Sequence, residues 1–151
     1  LPLGIVVGDT LEPRPLHKLL TYFREKLAEH DPIVEDVYDR IADCVEAVRT
    51  AFERGDLEAV GDSMRGQMAQ ERRVGCITVG LEKLCNAAEA AGAYGAKLTG
   101  VGGGGCMVAL CRPGKQQAVH DAIIAVGGKA WIVDVVSYNP DGSIRDRTLQ
   151  P

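Results

Sequence analysis

Residues 97–106 read Lys-Leu-Thr-Gly-Val-Gly-Gly-Gly-Gly-Cys, and five of the six positions from 100 to 105 are glycine. Glycine loses more conformational freedom on folding than any other residue, so such a cluster is costly to order. A packed domain keeps it where the backbone φ angle must be positive, or where another group must approach the chain closely. Successive amides without neighbouring Cβ atoms can also form a concave site for phosphate oxygens. We therefore expect an ordered, anion-binding loop rather than a flexible connection.

The segments beside the glycine cluster decide which kind of loop it is. Gly100, Gly102 and Gly105 satisfy the G-x-G-x-x-G dinucleotide pattern, which requires a helix directly after it. Residues 106–111 instead form a short apolar run, Cys-Met-Val-Ala-Leu-Cys, and the Arg-Pro-Gly that follows favours a strand. The phosphate-binding pattern that ends in Gly-Lys-Ser/Thr is also missing from the cluster. The arrangement is strand–loop–strand, which excludes both nucleotide motifs.

Composition limits the classes of function. A chain of 151 residues, 46% apolar and 25% charged, is typical of one soluble globular domain. The net charge of −4 argues against a nucleic-acid or anionic-membrane partner, either of which needs a basic surface. No apolar run approaches the roughly 20 residues that a membrane span requires.

The cysteines and histidines give no sign of disulfides or of a metal site. The five cysteines are odd in number and contain no Cys-x-x-Cys pair, so we expect reduced thiols and a cytoplasmic location. His17, His30 and His120 are scattered without metal-ligand spacing. No metal ligand is predicted.

Periodicity and capping residues predict five helices and four strands. Asp31 before Pro32, Asp56 and Thr78 are N-cap signals, and Gly55 is a helix stop. The expected strands cover residues 3–7, 94–99, 106–111 and 130–136; the helices run through residues 14–29, 32–54, 57–68, 78–91 and 114–126, and a turn at 139–142 precedes an irregular tail at 143–151. In the second helix, seven apolar residues at helical spacing predict a buried stripe: Ile33, Val37, Ile41, Cys44, Val45, Val48 and Phe52.

The order of elements predicts an α+β fold. Without the additional helices it is β-α-β-β-α-β, a ferredoxin-like split β-α-β plan with an antiparallel sheet and helices packed on one face. In this plan the two central strands form a hairpin, and the glycine cluster is its tip. Asp9, at the end of the first strand, is expected to brace the strand end rather than to act as a catalytic base.

Residues 95–110 resemble the third, C-terminal motif of the GHMP kinases, a family that includes galactokinase, homoserine kinase, mevalonate kinase and phosphomevalonate kinase. The form is most like that of mevalonate kinases, Lys-Leu-Thr-Gly-Ala-Gly-Gly-Gly-Gly-Cys, with Val101 where the family usually has alanine. Residues 3–10 are similar to the strand that enters the second domain of these kinases, and residues 64–84 to the paired helices before the third motif. Residues 11–15 depart from the Gly/Ser/Thr-rich continuation of the family.

The resemblance implies that residues 1–151 are the C-terminal domain of such a kinase, with an N-terminal ATP-binding domain that is absent from this chain. It implies transfer of a phosphoryl group from ATP, with Mg²⁺, to the hydroxyl of mevalonate or a similar small alcohol in isoprenoid precursor synthesis. Catalytic residues are then expected in the N-terminal domain and none here. The ATP- and substrate-binding residues carried over from the motif are Lys97, Thr99, Gly100, Gly102, Gly103, Gly104 and Gly105.

Within this interpretation, the Thr99 hydroxyl would bond a phosphate oxygen or fix the loop, unless Thr99 is an ordinary strand residue. For Lys97, a solvated side chain or a structural ion pair is favoured over a role toward phosphate. The isolated chain is expected neither to bind ATP tightly nor to phosphorylate mevalonate. Three alternatives remain open. The chain could belong to a homoserine or phosphomevalonate kinase, it could be a stand-alone ferredoxin-like module that binds an anion or small molecule, or it could be a structural half that pairs with a second chain, including a homodimer.

Overall fold

The computed structural model describes residues 3–135, 137–138 and 144–145. Within them the chain forms five helices and six strands. In chain order the elements are β1 (Gly4–Asp9), α1 (Leu16–Ala28), α2 (Pro32–Arg54), α3 (Leu57–Arg73), α4 (Val79–Ala90), β2 (Ala93–Leu98), β3 (Cys106–Cys111), α5 (Gln116–Ala125), β4 (Lys129–Val133), β5 (Ser137–Tyr138) and β6 (Ile144–Arg145).

The helix boundaries follow the capping residues of the sequence. The Asp31 carboxylate accepts hydrogen bonds from the amides of Ile33 and Val34, at 3.0 and 3.2 Å, and so begins α2. Gly55 ends that helix in the left-handed conformation, with φ 70°. Asp56 caps α3 and Thr78 caps α4 through their side-chain oxygens. These predicted boundaries are confirmed.

The main sheet has the order β2-β3-β1-β4, and every neighbouring pair is antiparallel. This is the strand order of a split β-α-β plan, because β1 lies between β3 and β4 and the hairpin β2–β3 occupies one side. The predicted α+β fold and the central hairpin are therefore confirmed. The glycine loop connects Leu98 to Cys106 at the tip of the hairpin.

One face of the sheet is closed by α4 and α5. Side chains on this face of β1, β2 and β3 pack against both helices, and the largest of them are completely buried. The 0%-exposed residues of this core are Val6, Leu81, Ala88, Leu98, Met107, Ala109, Val119 and Ile123.

The opposite face carries a second, smaller core with α2 and α3, which includes Ala51, Val60, Met64 and Leu110. The expectation of helices on one face was made for the plan without the additional helices, and α4 and α5 confirm it; α2 and α3, the additional helices of this second core, lie outside that plan. Helix α3 approaches β2 so closely that a Cβ atom at Gly61 would overlap the carbonyl group of Tyr94. The additional helices thus cover part of the face that the sequence plan left open.

The predicted stripe of α2 is only partly buried. Val34, Val37 and Ala51 are the buried residues of this helix, whereas Ile33 is 55% and Val45 61% exposed. The reason is that α2 packs mainly along α3 and stands away from the sheet, which leaves part of its apolar face uncovered.

No helix in the described part of the chain is long and apolar enough to cross a membrane. The turn predicted at residues 139–142 lies outside the described residues, as does most of the predicted tail at 143–151. Residues Ile144 and Arg145 pair with Ser137 and Tyr138, so the prediction of an irregular segment is wrong for those two.

Candidate functional site

The glycine loop uses glycine for its backbone conformation. All five of its glycines have positive φ angles, which are 77° at Gly100, 77° at Gly102, 74° at Gly103, 108° at Gly104 and 78° at Gly105. For a residue other than glycine, each such conformation costs about 1–2 kcal/mol of conformational free energy. The cluster is therefore an ordered loop with a specified path, as the sequence predicted.

Thr99 and Cys106 close the base of the loop. The Thr99 amide donates to the Cys106 carbonyl at 2.9 Å, and the Thr99 hydroxyl donates to the same oxygen at 3.1 Å. Of the two roles expected for the hydroxyl, the structure shows the one that fixes the loop.

Two other segments hold the far side of the loop. The amide of Gly103 donates to the Cys76 carbonyl at 2.8 Å, and the amide of Gly105 donates to the Thr10 hydroxyl at 2.9 Å. The Thr10 amide returns a bond of 2.9 Å to the Gly105 carbonyl. A Cβ atom at Gly102 would overlap the Cys76 carbonyl. The loop therefore tolerates no side chain on the surface that faces the turn after α3.

Arg14 lies across the loop. Its Nε donates to the Gly104 carbonyl and its Nη2 to the Thr99 carbonyl, both at 3.3 Å. A Cβ atom at Gly105 would collide with the guanidinium group, so glycine is required for this contact. The segment that departs from the family pattern, residues 11–15, therefore still contacts the loop, through Arg14, which no motif in the sequence marks.

Glu12 connects this segment to α4. Its carboxylate accepts a hydrogen bond of 2.5 Å from the Thr78 hydroxyl, the N-cap of that helix. A Cβ atom at Gly80 would lie 2.6 Å from the same carboxylate. No local sequence pattern predicts this pair, because Glu12 and Thr78 are 66 residues apart. Asp9 accepts from the Leu11 amide at 2.9 Å and braces the strand end, as expected.

The amides of the loop fall into two groups. Those of Gly103 and Gly105 are bonded inside the protein. Those of Gly100, Val101, Gly102 and Gly104 donate no hydrogen bond to any of the described residues. Gly100 is exposed and Val101 half-buried, whereas Gly102 and Gly104 are buried. Amides at 100 and 101, beside the Arg14 guanidinium, thus form the part of the loop that can meet an anion from solvent.

The structure does not bring Lys97 to this anion-facing part. Its ammonium group donates to the Leu98 carbonyl at 2.9 Å, and its side chain lines a cavity on the α2–α3 side of the sheet with Ser63 and Gln67. Lys97 forms no ion pair within 4 Å among the described residues, and its role as a binding residue stays a prediction.

The Cys76 thiol, on the turn that contacts the loop, is buried. Burial raises the pKa of the Cys76 thiol to about 11, so it remains protonated near neutral pH and is a poor nucleophile. The five cysteines are all free thiols. The described residues contain no group of three side chains with the spacing of a metal site.

Comparison with known proteins gives the family. Residues 48–129 match the model of the C-terminal domain of GHMP kinases. The mevalonate kinase of Pyrococcus horikoshii is 36% identical over 138 residues, which cover 88% of this chain and 41% of the relative. The galactokinase of Pyrococcus furiosus is 39% identical over 80 residues, or 51% of this chain and 22% of the relative.

Among solved structures, the L. major mevalonate kinase in complex with R-mevalonate matches with a TM-score of 0.79 and 26% identity, over 87% of this chain and 42% of that one. A Streptococcus pneumoniae phosphomevalonate kinase shares the fold with a TM-score of 0.73 at 18% identity, over 88% of this chain and 40% of that one. The chain thus spans about two fifths of the length of the relatives it matches. The family match over more than half of the chain and the shared fold agree with the glycine loop, and the chain belongs to the GHMP kinases as a C-terminal domain of that family.

Proposed function

We propose that this chain is the C-terminal part of a mevalonate kinase and forms one wall of a cleft in which ATP phosphorylates the mevalonate hydroxyl. The observation that carries the proposal is the glycine loop, with five positive φ angles and with amides at Gly100 and Val101 that bond to none of the described residues. The 36% identity to the Pyrococcus horikoshii mevalonate kinase supports mevalonate as the acceptor.

ATP fits the loop through its phosphates, because the amides of residues 100 and 101 and the Arg14 guanidinium are donors suited to anionic oxygens. When bound, ATP supplies the phosphoryl group. The loop then holds donors at fixed positions where negative charge gathers, and this positioning is the main protein contribution to phosphoryl transfer. Thr99, Thr10 and Arg14 act by keeping the loop in that conformation.

The remaining machinery is proposed to lie in the N-terminal domain of the complete kinase. We assign no catalytic base and no Mg²⁺ ligand to this chain. The domain 1–151 is proposed to act only with that second domain, in a reducing, cytoplasmic compartment that suits its five free thiols.

A chimaera tests the acceptor. The C-terminal part of the Pyrococcus horikoshii enzyme that aligns with this chain is replaced by residues 1–151, and ATP consumption is measured with mevalonate, phosphomevalonate, homoserine and galactose. We expect activity with mevalonate above the other three. A folded chimaera that prefers another acceptor would assign the chain to another GHMP kinase. The match to a galactokinase makes galactose a necessary arm of this assay.

The isolated chain tests whether this domain works alone. Titration calorimetry with mevalonate, phosphate and ATP should show no tight binding, and no ATP-dependent phosphorylation should be measurable. Strong binding of any one of them by the 151-residue chain would favour a stand-alone module. Sedimentation at several concentrations would reveal pairing with a second copy.

A further inference from the structure

A cavity of about 290 Å³ lies between α2, α3 and the partly covered face of the sheet. Its walls are mostly apolar. They include Val45, Val48 and Phe52 from α2, Ile5 from β1 and Leu110 from β3. These α2 residues belong to the stripe that the sequence predicted as buried, so their spacing suits contact with apolar groups that this chain does not itself supply.

One part of the cavity wall is polar and carries a positive charge. Lys97, Ser63 and Gln67 line it. An ammonium group has three hydrogens to donate, and the Lys97 group gives one to the Leu98 carbonyl at 2.9 Å. No carboxylate of the described residues lies within 4 Å of it. The Ser63 hydroxyl bonds the Ala59 carbonyl at 3.0 Å and is a second polar group at this wall.

We propose that this cavity binds a single-chain aliphatic carboxylate, whose hydrocarbon lies against α2 and the sheet and whose carboxylate bonds the Lys97 ammonium. The site lies on the α2–α3 side of the sheet and does not include the anion-facing amides of the glycine loop. The inference does not depend on the proposed kinase function.

The charges around Lys97 favour a monoanion over a phosphate. Gln67 donates to Glu71 at 2.8 Å, and Glu71 is a buried carboxyl whose second oxygen has no partner among the described residues. Burial raises the pKa of Glu71, and the Gln67 bond and the Lys97 charge partly oppose this rise. Lys97 is the one cation among the described residues that line the cavity, so a dianionic phosphate would leave its second charge without a partner there. One ammonium matches one carboxylate.

The cavity volume sets the chain length. A cavity of about 150 Å³ accepts the six carbons of benzene, so 290 Å³ suits a chain of about ten carbons. Decanoate is therefore the probe. Decanol and decylammonium share its chain and differ in the head group, which makes them direct controls for the role of charge.

Titration calorimetry of the 151-residue chain provides the test. We expect saturable binding of one decanoate, with decanol about tenfold weaker or more, as for loss of a charge-assisted hydrogen bond, and decylammonium weaker still. Lys97→Met should weaken decanoate by a similar factor and leave decanol unchanged. Lys115→Met, on a lysine outside the cavity, should change neither. The head-group series on the parent protein decides the matter even if K97M fails to fold.

A large side chain introduced into the cavity tests whether the ligand binds there. Val45→Trp should reduce binding of both decanoate and decanol, whereas Ile33→Trp, at another exposed position of α2, should not. Absence of saturable decanoate binding, or equal affinity for decanoate and decanol, would overturn the proposal. So would a concentration-dependent dimer that V45W abolishes, because the face would then be covered by a second copy.

Discussion

The two faces of the four-stranded sheet are packed to different degrees. On the side of α4 and α5, Val6, Leu98 and Met107 have no exposed surface. On the side of α2 and α3, Val45 is 61% exposed, Trp131 of the edge strand is 50% exposed, and a cavity remains. The comparison indicates that the closed face supplies most of the stability, while the other face keeps room for a ligand or another domain. The glycine loop connects the end of β2 to the start of β3, two strands whose buried side chains belong to the closed face.

The largest effect is expected where α3 meets the sheet without space for a side chain. Gly61→Ala would drive a methyl group into the Tyr94 carbonyl, so α3 must move away from β2. We expect a loss of about 3–5 kcal/mol in the free energy of unfolding, measured by urea denaturation.

Gly66→Ala on the same helix is the matched control. Its Cβ would lie 3.3 Å from the Cys44 sulfur, a contact that a small shift relieves, and replacing a helical glycine gains up to about 1 kcal/mol. If G61A were as stable as G66A, the close packing of α3 on β2 would be refuted.

A core truncation tests the closed face directly. Ile123→Ala in α5 removes a completely buried side chain and should cost about 2–5 kcal/mol. Ile124→Ala, the next residue, removes a side chain that is 49% exposed and should cost less than about 1 kcal/mol. Similar losses for the two variants, by thermal or urea unfolding, would contradict the difference in packing.

Two glycines of the loop allow the cost of a positive φ angle to be measured separately from the cost of a steric overlap. Gly100 and Gly102 share a φ of 77°, but a Cβ meets open space at Gly100 and the Cys76 carbonyl at Gly102. Gly100→Ala should therefore cost about 1–2 kcal/mol from the backbone alone. Gly102→Ala should cost more, because the Gly103–Cys76 hydrogen bond must lengthen. Equal unfolding free energies for G100A and G102A would contradict this, because the turn after α3 would then move away from the new methyl group at no energetic cost.

Local signals in the sequence predicted the fold well, because they act over a few residues. The caps at Asp31, Asp56 and Thr78 and the strands around the glycine cluster depend on neighbours in the chain. The contact of Arg14 with the loop could not be predicted in this way, since it joins residues 85 and 90 positions apart.

For α2, helical periodicity predicted more burial than the structure shows. The pattern identifies an apolar stripe but not what covers it, and in the structure Val45 faces a cavity instead of a core. The motif assigns Lys97 a binding role, but nothing in its spacing shows that its long side chain lies with Ser63 and Gln67 of α3. In both cases the missing information was the position of α2 and α3 relative to the sheet.

The smallest expected effect is the pH dependence that Glu71 contributes on the α2–α3 side. Burial raises its pKa above the ordinary 4.5, so the folded protein holds this proton more tightly than the unfolded chain does. Stability then falls as pH rises from about 4.5 through the folded pKa, where the folded state binds more protons. The variant Glu71→Gln has no such proton to lose. As the pH rises from about 4.5 through the folded pKa, the unfolding free energy of E71Q should therefore increase relative to that of the parent.

Glu46→Gln on exposed α2 should show the opposite sign. The hydrogen bond from Arg49 lowers the pKa of Glu46 in the folded protein. The ionised carboxylate therefore stabilises the folded state at pH values above the pKa of the unfolded chain, and this stabilisation is lost as the pH falls through the folded pKa. Unfolding free energies of the parent and both variants between pH 4 and pH 8 would separate the two cases. If the difference between E71Q and the parent did not change with pH, the Glu71 carboxyl would be solvated in solution, which would contradict its burial in the structure.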